Sequence, residues 1–191
     1  MALPDDGNRH ELVRGEIVHM PPPKGEHGRI ELALGGAIDR YLIARAHDLG
    51  WHENDGRNER DRLVGWPAVG EVGVRLPLPD DHDQLRGLDV AYFTPEQVAR
   101  LGDTLVTEYA PEMPALAAEI ISPSESAEYV DEKVTDYLAG GARLIWLVYP
   151  RTRTVTVISP NGVGRRIGSD GVLDGEDVLP GFALPIASLF A

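Results

Sequence analysis

A chain of 191 residues is within the size that one hydrophobic core can serve, so we expect a single domain over residues 1–191. Hydrophobic residues make up 42% and charged residues 26%, and no apolar run approaches the roughly 20 residues of a membrane helix, which excludes a membrane span; the lack of cysteine excludes disulfides and thiolate zinc sites. The net charge of −13 argues against tight, non-specific coating of nucleic acid, where cations neutralise phosphates, but it leaves room for a local basic groove or a bound cation.

The opening Met1-Ala2-Leu3-Pro4-Asp5-Asp6-Gly7-Asn8 carries acids where a secretory signal needs a basic start, and a cytoplasmic location is expected. Residues 11–20 read as two short strands about an Arg-Gly turn, ended by Pro21-Pro22-Pro23. From 26 to 49, Ile30, Leu34, Ala37, Ile38, Tyr41, Leu42 and Arg45 keep helical spacing, with Gly35-Gly36 weakening the middle. Residues 51–70, rich in charge, Gly and Asn, read as loop with at most one strand. A strand over 71–76 is then followed by an acidic turn over 77–84 and a second strand over 87–93.

Thr94-Pro95 opens a short helix to Leu101. The apolar run 115–121 reads as a strand covered on both faces, and 124–139 as a helix closed by Gly140-Gly141. Strands over 143–149 and 153–158 follow, then Gly-rich turns and a short ending from 185 to 191. Strand, helix and strand between 115 and 149 form a crossover, so the fold class is α/β with a mixed sheet.

Two carboxylates stand in otherwise apolar strands, in Leu88-Asp89-Val90-Ala91 and Ala118-Glu119-Ile120-Ile121. Burying an ionised acid is costly unless a partner offsets it, and two acids on neighbouring strands repel unless a cation lies between them. A hard, oxygen-rich Mg²⁺ site resolves that conflict; ion pairs with the many arginines are the plainer alternative. Of the cationic residues sixteen are arginine and two lysine, Lys24 and Lys133. Lys133 shares a helix face with Tyr129 and Tyr137, four residues to either side, and could reach a phosphate or water; pairing with Glu132 or Asp136 is the alternative.

Asp80-Asp81-His82-Asp83 has metal-ligand residue types without calcium-loop spacing and reads as a solvated turn. Gly162 to Gly168 lacks dinucleotide-fingerprint spacing and reads as a hairpin turn.

Gly15-Glu16-Ile17-Val18, Pro22-Pro23-Lys24-Gly25-Glu26-His27-Gly28-Arg29-Ile30, Leu88-Asp89-Val90-Ala91, Ala118-Glu119-Ile120-Ile121-Ser122-Pro123-Ser124, Glu132-Lys133 with Tyr137, and Ala142-Arg143-Leu144-Ile145-Trp146-Leu147-Val148 occur in that order. Together they resemble the Uma-two family of restriction endonucleases, a branch of the PD-(D/E)XK nuclease superfamily. The resemblance implies a restriction-endonuclease-like mixed sheet flanked by helices. It also implies a divalent-metal-dependent nuclease, using Mg²⁺ or Mn²⁺, acting on nucleic acid and first of all DNA, and compatible with a homodimer. Asp89 and Glu119 would hold the metal. The superfamily's lysine, two residues after the Glu, is replaced by Ile121, and the resemblance moves that role to Lys133. Glu16 and His27 are further candidates, although a local hydrogen bond at the helix start would also explain His27. Leu88 stands where the family has Pro, and Tyr129 where members carry an acid. These departures, with the net charge, keep a catalytically inactive relative serving as a binding or regulatory module as the alternative. A metal-dependent hydrolase of a smaller phosphate ester is a third reading.

Overall fold

A computed structural model describes residues 9–20, 22, 24–79 and 81–191. Strands β1 (Arg9–Val13) and β2 (Glu16–Met20) form the first hairpin, turned by Arg14 and Gly15, both at positive φ. The first helix, α1 (Gly25–Asp48), buries Ile30, Leu34, Ile38 and Leu42, the stripe its spacing predicts. Its Gly-Gly pair has a packing reason. A Cβ on Gly35 would collide with the side chain of Val69, so the missing side chain lets the next strand cross directly on the helix.

Residues 51–70 are more structured than expected. They hold a 3-10 turn (Glu53–Asp55), α2 (Arg57–Val64) and the start of β3 (Trp66–Leu78). The second helix hides behind its charge because two of its buried residues are polar: Arg60 is satisfied by Asp39 at 2.9 Å and Asp61 at 2.7 Å. The expected turn over 77–84 is also shorter. Strand β4 (Asp81–Phe93) pairs with β3 as far as Leu78 opposite Asp81. Of the acidic run there, Asp80 lies outside the described residues and the other three belong to β4.

Thr94 caps α3 (Pro95–Leu101) as predicted, with the Gln97 N–H donating to its hydroxyl, and α4 (Thr104–Thr107) follows. The crossover forms as expected: β5 (Leu116–Ile120), α5 (Ala127–Ala139) and β6 (Leu144–Tyr149), with β5 and β6 parallel. Strands β7 (Thr154–Ile158) and β8 (Gly164–Ile167) finish the large sheet. A two-stranded sheet of β9 (Val172–Gly175) and β10 (Leu179–Pro185) and a 3-10 turn (Ile186–Phe190) close the chain.

The eight-stranded sheet runs β2-β1-β4-β5-β6-β7-β8, with β3 also paired to β4. All its pairings are antiparallel except β5 with β6. Apolar clusters cover both faces. One joins α1 and the C-terminal turn to Val90, Leu116, Ala118 and Trp146; the other joins α3, α4 and α5 to Leu88, Ala91, Ala117 and Ile145. This is the expected α/β architecture of a mostly antiparallel mixed sheet flanked by helices. Among the described residues no helix is long and apolar enough to cross a membrane.

Candidate active site

Strands β4 and β5 pair through Val90 with Ala118, so Asp89 and Glu119 stand one step beyond that pair, side by side. There the Asp89 carboxylate takes over from the ladder: its Oδ2 accepts the Ile120 backbone N–H at 2.7 Å. The other oxygen, Oδ1, lies 3.0 Å from His27 Nε2, which α1 presents from its first turn.

Glu119 is held from the opposite side. Lys133 Nζ donates to its Oε2 at 2.6 Å and the Tyr137 hydroxyl to its Oε1 at 2.8 Å. Both donors come from α5, whose periodicity sets them one turn apart on the face packed against β5. Burial pushes the Glu119 carboxyl up to about 7 with Lys133 opposing and Asp89 adding, and burial with the same carboxylate carries the Tyr137 hydroxyl well above its ordinary range. Burial works against the Lys133 ammonium, but Glu119 and Glu11 outweigh it and hold that pKa above the usual lysine value.

Behind Lys133 lies a buried polar chain. Its ammonium is 3.8 Å from Glu11 and 5.6 Å from the Tyr129 ring centroid, and the Tyr129 hydroxyl donates to Glu11 Oε2 at 2.7 Å. Fully buried Arg86 joins Glu11 at 2.9 Å to Asp136 at 2.5 Å, and Gln84 donates to the same Asp136 oxygen. Burial raises the Glu11 pKa, but Lys133 and Arg86 outweigh it and the net direction is down.

Sequence reasoning missed Glu71. Register passes from Val69 opposite Val90 to Val72 opposite Leu88, so Gly70 and Glu71 bulge across from Asp89. Glu71 takes positive φ (60°), and a Cβ on Gly87 would come within 2.8 Å of its Oε2. One ligand atom each from His27, Glu71 and Asp89 lie within 4.8 Å of one another. This donor set, two carboxylates and an imidazole, is one that a divalent cation could occupy. Of the five expected site residues, Asp89, Glu119, Lys133 and His27 all line one open cavity of about 760 Å³. Glu16 does not join them: it sits exposed at the first hairpin.

Residues 1–187 match the Uma2 family profile, described as "Putative restriction endonuclease". The chain belongs to the Uma2 family. None of the curated proteins matches it. Among solved structures, a nuclease described as "putative" and belonging to DUF820, from Anabaena variabilis ATCC 29413, aligns with a TM-score of 0.75 at 20% identity, covering 98% of this chain and 93% of that one. At that identity the likeness establishes the shared fold. Uma2 membership also accounts for the order of the motifs from Gly15 to Val148.

Proposed function

We propose that the chain is a divalent-cation-dependent nuclease that hydrolyses phosphodiester bonds, DNA being the first substrate to test. Asp89 and Glu119 are the cation ligands, joined on the Asp89 side by His27 and Glu71, and Lys133 positions the phosphate or the attacking water. One observation carries this reading: a buried lysine 2.6 Å from Glu119, in the same cavity as the neighbouring Asp89.

Mg²⁺ or Mn²⁺ would supply charge neutralisation for the phosphate and acidity for water beside it. The protein's share is orientation. The Ile120 N–H fixes the Asp89 carboxylate, while Tyr137 fixes Glu119. Lys133, kept protonated by its two acids, offers N–H bonds to charge developing on the phosphate as water adds to phosphorus and the bond to the departing sugar oxygen breaks. Family membership and the restriction-endonuclease-like fold support this assignment.

The second reading, a catalytically silent binding module, is favoured by the pairing of both Glu119 oxygens within the protein. Incubation of duplex DNA, single-stranded DNA and RNA with Mg²⁺ or Mn²⁺ separates the two. The nuclease reading expects metal-dependent cleavage that falls by about 100-fold or more in Asp89→Asn and in Glu119→Gln with the fold retained. Unchanged turnover in either variant refutes the assignment, and no cleavage of any substrate by the wild type leaves the silent module.

A further inference from the structure

In a chain of net charge −13 several arginines are neutralised internally: Arg60, Arg62, Arg86, Arg100, Arg143 and Arg165 each meet an acid. The turn between β6 and β7 is different. Arg151, which lines the cavity, and Arg153 are both exposed and have no acidic partner among the described residues. Arg166 joins them from β8. Its guanidinium donates to the Thr152 and Thr154 hydroxyls at 3.2 and 3.0 Å and lies 5.6 Å from the Tyr149 ring centroid, so hydroxyls and a ring hold it in place without neutralising it. Arg153 has a φ of 51°, a conformation that Gly or Asn adopts more cheaply. The exposed Lys24, at the head of α1, lines the same cavity. The cavity that Arg151 lines also carries the acids Glu26, Asp89, Glu119 and Glu125, the last with its Oε2 accepting the Ser122 N–H.

We infer that Arg151, Arg153 and Arg166 form a phosphate-tracking strip that carries the backbone of duplex DNA away from the cavity, with Lys24 contacting it at the cavity itself. This rests on the nuclease reading for its ligand class, but it is carried by a separate observation, the gathering of uncompensated cations at one end of the sheet. Three exposed cationic side chains gathered at one turn and the strand beside it suit a polyanion, whose binding they would steer and make salt-dependent.

The test is fluorescence anisotropy of a short labelled DNA duplex titrated with the full chain in EDTA, so that binding is read without turnover, over a range of salt. Arg151→Gln/Arg153→Gln/Arg166→Gln should weaken binding by roughly 100-fold at about 0.1 M salt and reduce the slope of log affinity against log salt by about 2 to 3. The charge-matched Arg62→Gln/Arg100→Gln/Arg143→Gln, taken from acid-paired arginines elsewhere, should change neither. The strip is overturned if its triple variant binds like the wild type, if the control triple weakens binding equally, or if the wild type does not bind duplex at all. Cleavage measured separately with Mn²⁺ distinguishes the two readings. Strip-dependent binding without cleavage sinks the nuclease and keeps the strip, whereas cleavage with strip-independent binding does the reverse.

Discussion

The two carboxylates at the centre of the candidate site stand side by side yet live in opposite surroundings. Glu119 is closed in: Lys133 and Tyr137 take its two oxygens, and behind them Glu11, Tyr129, Arg86 and Asp136 bond to one another. Asp89 stands on the open, bulge-facing half: beyond the Ile120 N–H on its Oδ2, its companions are a histidine at a helix start and a glutamate on a bulge, close enough to share a guest. The closed half is rigid because each buried polar group would cost several kcal/mol if its partner were removed. The open half sets two carboxylates and an imidazole close together, a donor grouping that a divalent cation can share.

The largest expected effect lies in the closed half. Arg86→Met removes the cation that bridges Glu11 and Asp136 and should cost about 3–5 kcal/mol in urea unfolding, since two buried acids lose their shared, closest counter-charge. A loss under about 1 kcal/mol would mean that the network is not a structural unit. Next, Lys133→Arg keeps the charge but swaps a compact ammonium for a planar fork, and should lose about 100-fold in cleavage while Mn²⁺ affinity, read by calorimetry, survives. Normal cleavage by this variant would return Lys133 to a structural role.

The open half should answer in cation affinity instead of stability. Glu71→Gln is expected to weaken Mn²⁺ binding by about tenfold with unfolding changed by less than about 0.5 kcal/mol. An unchanged affinity removes Glu71 from the ligand set. The smallest effect belongs to Gly87→Ala, whose new methyl would meet the Glu71 carboxylate at 2.8 Å and push it aside. Its loss of affinity should be smaller than that of Glu71→Gln and should disappear when the two substitutions are combined.

How much of this was legible depended on whether a residue's role is local. Asp89 and Glu119 stood out because a carboxylate inside an apolar strand is anomalous on its own, and Lys133 because lysine is rare here and α5 is strongly periodic. The crossover and the Thr94 cap were readable for the same reason. Glu71 was not, because its place is set by a register shift between β3 and β4 that no period in the sequence announces. Glu11 looked like an ordinary strand residue, and its burial follows from Arg86, far along the chain. Glu16 shows the reverse. The family motif suggested it, but strand geometry leaves it exposed at a hairpin. α2 went unread because its buried Arg60 and Asp61 carry the signature of a solvated loop.

The contact between Gly35 and Val69 reaches beyond packing. Val69 immediately precedes the bulge, and the Gly70 N–H donates to Glu31 on the same helix, so α1 holds the bulge at two points. A saturation screen for activity would therefore score Gly35 as intolerant of every other residue, with a profile resembling that of the ligands themselves, although nothing on Gly35 could touch a substrate. If the proposed cation site holds, compensating pairs at 35 and 69, a side chain gained on one and trimmed on the other, are a remote handle on it: they would reposition the Glu71 carboxylate without altering any proposed ligand.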